Sequence, residues 1–170
     1  YELTLSVPSR TTADTGIDAL THALEAYVSK KATAYSDIQA VAAMKLLAPN
    51  LRRVFNNGKD REAREAMMLG STLAGIAFSN ASVALVHGMS RPIGALYHVP
   101  HGLSNAMQLP AVTEYSIPAA EQRYADAARV MGIAQASDTN IKANQKLMDG
   151  LFAINRELEV PTPAAVSYTH

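Results

Sequence analysis

The sequence predicts an all-α domain of about six helices, and three observations carry that reading. Apolar residues recur at spacings of three and four along most of the 170 residues. Alanine is abundant and only 6% of residues are aromatic, while nine glycines and eight prolines are sparse enough to act as punctuation between helices. A single short segment, Tyr1 to Val7, alternates weakly, and no partner strand of any quality accompanies it.

The elements follow in order. Tyr1 to Val7 is read as a linker or one short strand ahead of Pro8. From Thr12, the residues Ala13, Ile17, Leu20, Leu24 and Tyr27 mark an amphipathic helix that ends near Ser29, with candidate caps at Ser9, Thr11 and Thr12. A second helix opens near Ser36 or Asp37, carries Ile38, Val41, Met44, Leu47, Leu51 and Val54, and stops at Asn56-Asn57-Gly58. Pro49 inside it predicts a kink, because proline deletes one hydrogen bond and crowds the preceding turn. After Asp60, a charged segment leads into a long run of small residues reaching about His87. Gly70, Gly75 and Ser79 would let neighbours approach closely, so this helix is expected at the centre of the core. Gly88 to Gly102 is interrupted by Pro92, Gly94 and Pro100, which predicts a short helix and a sharp turn before a new helix near His101. Pro118 and Gly132 bracket a helix containing Tyr124 and Val130. The last helix runs from about Ser137 to Glu157, with Ile141, Leu147, Leu151 and Ile154 on one side. The methionines Met67, Met68, Met107, Met131 and Met148 fall on apolar faces and read as core filler.

Composition excludes several classes of function. Fifteen basic residues balance fifteen acidic ones, which leaves no basic footprint for nucleic acid and no polybasic stretch for an anionic membrane. The apolar runs are far shorter than the ~20 residues of a membrane-spanning helix. The absence of cysteine removes disulfides, thiolate ligands and thiol nucleophiles, and it suits a reducing cytoplasm. Any metal must therefore be held by histidine and carboxylate.

Candidate ligands exist. His22 lies four residues after Asp18, on the same helix face. His87 ends the long small-residue run, and His101 opens the helix after the Pro100 turn. Four helix-breaking residues shape the short segment that separates these two imidazoles. Three imidazoles and a carboxylate suit Fe(II), Zn(II) or a similar ion, with a position left for a substrate oxygen. An Asp and a His four apart on a helix are also compatible with a cap or a surface pair.

The run from Thr15 to Ser29, TGIDALTHALEAYVS, followed by His87-Gly88-Met89 and Pro100-His101-Gly102, closely resembles the iron-containing alcohol dehydrogenase family. The resemblance extends from about Leu3 to Pro163. It implies a two-domain oxidoreductase, with an N-terminal α/β domain for NAD or NADP and a C-terminal helical, dehydroquinate synthase-like domain for the metal. The family's ligand positions match Asp18, His22, His87 and His101, with Fe(II) expected and Zn(II) as the alternative. The substrate would be a small alcohol or diol and its aldehyde. The resemblance also implies a homo-oligomer, most simply a dimer, in a cytoplasmic location, with no nucleic-acid or membrane partner.

Two loop residues complete the set of candidates. Arg91 stands where many family members carry histidine. It cannot act as a base near neutral pH, and it reads either as a partner for cofactor phosphate or substrate carboxylate, or as a capping or salt-bridging arginine. His98 could line the pocket or pass protons, or it could be a plain loop residue. Glu25, three residues after His22, could orient that imidazole or face solvent.

No glycine-rich strand-to-helix turn for a pyrophosphate is present. Residues 1–170 are therefore expected to be the metal-binding domain alone, inactive by itself, with 1–8 leading from the cofactor domain and 164–170 a truncated tail. Two other readings are a metal-dependent hydrolase and a helical binding module whose four residues form a closed, structural site.

Overall fold

The computed structural model describes residues 1–164; of the tail expected at 164–170, residues 165–170, including His170, lie outside them. Among the described residues there are seven α-helices and two short 3-10 turns, with no strand. The helices are α1 (Ser9–Val28), α2 (Ala34–Asn56), α3 (Arg61–Ala81), α4 (Leu85–Tyr97), α5 (His101–Ser116), α6 (Glu121–Val130) and α7 (Asn140–Glu157). No single helix among them is long and apolar enough to cross a membrane.

Side-chain caps set several boundaries. Thr33 and Ser36 form a reciprocal capping box that starts α2 two residues ahead of the earliest expected position. Asp60 accepts from the Ala63 N–H and Thr139 from the Lys142 N–H, which opens α3 and α7. α2 continues through Pro49 to Asn56. The first residues form a 3-10 turn over Glu2–Thr4 instead of a strand. With no neighbouring strand to pair with, Thr4 bonds back to the Tyr1 carbonyl through both its N–H and its hydroxyl.

The centre of the core is α1, not α3. Ile17, Leu20 and Leu24 of α1 are fully buried together with Met44, Leu47 and Leu51 of α2 and Leu147 and Leu151 of α7. α3 buries one stripe, Ala63, Gly70, Ala74, Ala77 and Ala81, against α1 and α2, while Met68 and Leu69 on its other side are 41% and 51% exposed. Small residues allow close approach on one side without requiring cover all round. At Gly70 a Cβ would lie 2.8 Å from the Leu47 side chain, but at Gly75 it would meet nothing, and Ser79 is exposed. Among the methionines expected as filler, Met107, Met131 and Met148 are buried and Met68 is not. Ile38 and Ile141 are also exposed. Ile141 sits six residues before Leu147, about 240° around the helix from the buried row of Leu147, Leu151 and Ile154.

The long run ending at His87 is two helices, not one. α3 stops at Ala81, Ser82 adopts φ +66°, and α4 sets off at 101° to α3. No Gly or Pro marks the break. It is held from outside: Ser29 donates to the Ala81 carbonyl, and a carboxylate of α1 receives the first N–H groups of α4.

Candidate metal centre

α1 supplies Asp18, His22 and Glu25, which follow each other at spacings of four and three and so share one face. α4 supplies His87 in its first turn, not at the end of the preceding helix as the sequence suggested, with Arg91 one turn later on the same face. α5 opens on His101 and carries Asn105 one turn further. The start of α5 is pressed against α1 at Gly102, where a Cβ would lie 2.6 Å from the Asp14 carbonyl oxygen. Only glycine permits that approach, which sets His101 opposite Asp18. Ser104 donates to the Ser90 carbonyl and so ties α5 to α4.

The result is a cluster in which one ligand atom each from Asp18, His22, His87 and His101 lies within 4.8 Å of every other. Asp18 Oδ1 is at the middle, 3.4 Å from His87 Nε2, 3.6 Å from His22 Nε2 and 3.7 Å from His101 Nε2. The His22 ring stacks on Phe78 at 4.2 Å between centroids and lies equally close to His87. All four residues nominated as ligands are thus brought together. His87 is sealed, whereas the His101 side chain is half exposed and opens onto a cleft of about 470 Å³ whose walls include Lys31, Phe78 and Arg91. A closed structural site would leave no such opening.

Glu25 is the residue whose role the sequence hid. It is 3% exposed, so it does not face solvent, and it serves His87 instead of its own neighbour His22. Its carboxylate accepts from the N–H of Ala84 at 2.9 Å, from the N–H of Val86 at 2.5 Å and from His87 Nδ1 at 2.7 Å. It therefore caps α4 from across the fold, where the helix dipole favours negative charge. It also fixes the tautomer that leaves His87 Nε2 facing Asp18. Asn105, fully buried in the cluster, also went unmarked, although its place four residues after His101 was a usable signal.

Electrostatics follow from this packing. Burial pulls the His22 pKa down to about 4, with Asp18 opposing the shift and the other imidazoles adding to it. Burial also disfavours the His87 cation, but hydrogen bonds to Asp18 and Glu25 outweigh it and push His87 up to about 9. Burial raises Asp18, yet the hydrogen bond from His87, the charge of His22 and the Asn105 amide bring it below its usual value. The metal-free site thus holds a carboxylate anion, an imidazole, His22, that gives up its proton readily, and a second, His87, that retains its proton and must release it for Nε2 to bind a cation. His22 Nδ1 and Asn105 Oδ1 are buried with no hydrogen-bond partner among the described residues. Three nitrogens and a carboxylate oxygen converging beside unsatisfied polar atoms fit a divalent transition metal.

Of the two loop candidates, Arg91 lines the cleft, exposed, and forms neither a cap nor an ion pair among the described residues. His98 is the C-cap of α4 in a left-handed conformation, φ +54°, exposed and outside the cleft lining.

Comparison with known proteins shows which family the chain belongs to. Residues 12–165 match the Fe-containing alcohol dehydrogenase family, C-terminal. Over 160 residues the chain is 44% identical to long-chain-alcohol dehydrogenase 1 of Geobacillus thermodenitrificans (strain NG80-2), covering 94% of this chain and 40% of that protein. Over 161 residues it is 37% identical to the NAD-dependent methanol dehydrogenase of Bacillus methanolicus, covering 95% of this chain and 42% of that one. The crystal structure of a 1,3-propanediol oxidoreductase superposes with a TM-score of 0.89 at 39% identity, over 92% of this chain and 41% of the other. The chain spans about two fifths of the length of these relatives. With the family pattern running through nearly all of its helices, the chain belongs to the Fe-containing alcohol dehydrogenase family, as its C-terminal, all-helical part.

Proposed function

We propose that this chain is the metal-binding domain of an NAD(P)-linked alcohol dehydrogenase that interconverts a small primary alcohol or diol and its aldehyde. The observation that supports this most is the set of four donors, Asp18, His22, His87 and His101, within 4.8 Å of one another at the edge of an open cleft. A divalent ion held there supplies Lewis-acid polarisation of a substrate oxygen. Fe(II) is the proposed ion, with Zn(II) the alternative, since both accept imidazole and carboxylate.

The protein's own groups do the rest. Asp18 contributes the anionic oxygen around which the imidazoles are arranged. Glu25 orients His87, and Phe78 backs His22 by ring stacking. The half-exposed His101 is the ligand nearest to entering substrate. Arg91, one turn from His87 and without an anionic partner among the described residues, is assigned to an anionic group of the bound molecules, either cofactor phosphate or substrate carboxylate. His98, exposed and not among the residues that line the cleft, is not assigned a proton-transfer role. A homodimer, and a reducing cytoplasm in which Fe(II) persists, belong to the same proposal.

Metal analysis of the full-length enzyme purified without chelators, followed by a nicotinamide absorbance assay with a short alcohol, tests this reading. The expected result is about one iron per chain and reduction of the cofactor. Activity that is full and air-stable with zinc alone would overturn iron. Metal-dependent hydrolysis without cofactor turnover would favour the hydrolase. Arg91→Ala should raise KM for the cofactor if the guanidinium meets phosphate, or for a carboxylate-bearing substrate if it meets that group. An unchanged KM for both would remove Arg91 from binding.

A further inference from the structure

We infer that Asn105 belongs to the metal centre itself: its amide stands in for the cation in the metal-free chain and presents its oxygen to the ion when one is bound. The inference rests on the metal-binding reading above and adds a group to it. Asn105 is fully buried, and its Nδ2 lies 2.6 Å from Asp18 Oδ1, 3.1 Å from His87 Nε2 and 3.1 Å from His101 Nε2. It therefore touches three of the four proposed ligands, and on each of them it touches the atom that would bind the metal. The carboxylate at 2.6 Å decides which way the amide points, because an ionised carboxylate only accepts and the amide oxygen cannot donate. One N–H goes to Asp18 and the second to His101 Nε2, while the amide nitrogen packs against His87 Nε2, whose own proton faces Asp18. A partially positive NH₂ group thus occupies the position from which a cation would attract Asp18 Oδ1 and His101 Nε2, and in its absence it keeps those two atoms assembled beside His87 Nε2.

The same contacts are incompatible with a bound ion, because the lone pairs they use are those the ion needs. The amide has a simple alternative. Its oxygen and nitrogen are nearly isosteric, so half a turn about the last side-chain torsion exchanges them without displacing neighbours. Oδ1 is buried and has no hydrogen-bond partner among the described residues. That unsatisfied acceptor is the atom the half-turn would bring into the ligand cluster.

Cobalt(II) titration of the metal-free full-length protein, read by visible absorption and by melting temperature, tests the inference with Asn105→Leu and Asn105→Asp. Leucine fills the space but can neither donate nor ligate. Asn105→Leu should bind cobalt about 10- to 100-fold more weakly, with a more intense visible band, because one oxygen fewer surrounds the ion. Asn105→Asp keeps the oxygen and loses the donor, so it should melt lower than wild type without metal and bind cobalt more tightly. Should Asn105→Leu fail to fold, Asn105→Asp decides alone through those two opposed shifts. Wild-type affinity and band shape in Asn105→Leu, or no opposed shifts in Asn105→Asp, would overturn the role of Asn105 while leaving the four-ligand site intact. Wild-type chain that binds no cobalt would overturn the metal reading and this inference together.

Discussion

Replacing Glu25 should unfasten two things at once, the start of α4 and the orientation of His87. The wild-type carboxylate receives three donors at 2.5–2.9 Å in a site where it is 3% exposed. Hydrogen bonds to a charged group contribute about 1.5–3 kcal/mol each, and removing the buried carboxylate also relieves its own desolvation. For one partner of a buried charged pair the net loss is about 3–5 kcal/mol. Glu25→Ala should therefore lower the stability of the metal-free chain by roughly that amount, measured by urea unfolding with far-UV circular dichroism at pH 7. Glu25→Gln keeps one acceptor and should lose about 2 kcal/mol. The raised His87 pKa adds a second signature. Its stabilising contribution is fully present below the unfolded value of 6.5 and is lost as pH rises through about 9. The penalty of Glu25→Ala should thus shrink as pH rises from about 6.5 to about 9 and level off above that. A loss below about 1 kcal/mol at pH 7, or a penalty independent of pH up to 10, would refute this account of α4.

Two further outcomes follow from the same geometry. The metal-free chain should be most stable near pH 6.5. Below it, the His22 pKa of about 4 makes stability fall as the unfolded chain takes up a proton that the fold refuses; above it, the His87 pKa of about 9 makes stability fall as the unfolded chain releases a proton that the fold retains. Each flank is worth about 3 kcal/mol, and a stability curve that is flat from pH 4 to 9 would contradict it. Glycines on either side of the cluster should respond oppositely in thermal melts. Gly102→Ala drives a Cβ into the Asp14 backbone and should cost about 1–3 kcal/mol, weakening metal binding by moving His101. Gly88→Ala meets no atom within 4 Å in the interior of α4 and should add about 0.5–1 kcal/mol.

Local sequence was sufficient wherever a helix is defined by its own periodicity. α1, α6 and α7 begin and end within a few residues of the expected places, although only α7 has a side-chain cap: α1 starts directly after Pro8, so none of Ser9, Thr11 and Thr12 caps it, and α6 follows Ala120. The break at residues 82–84 was illegible because no residue there disfavours helix strongly. It exists because Glu25 and Ser29, more than fifty positions earlier in the chain, hold the two helix ends apart. The same asymmetry runs through the site. Helix spacing and the loop between the last two suggested Asp18, His22, His87 and His101 as candidates beside a cap or surface pair, and the family resemblance joined them into one ligand set. Glu25 was read as a partner for His22 or as facing solvent, because sequence distance shows only the neighbour on the same helix, whereas burial turned it to a residue on another. α3 was misplaced at the centre because small side chains signal close approach on one side but say nothing of what covers the other.

The four proposed ligands sit on three different helices, α1, α4 and α5, and the chain contains no cysteine. An ion at their meeting point would work as a cross-link, joining distant parts of the chain and reducing the freedom of any unfolded state that kept it bound. Unlike a disulfide, such a link forms and dissolves with the supply of free metal and not through thiol oxidation. The resistance of this domain to unfolding, and so to proteolysis, should then follow the metal status of its surroundings.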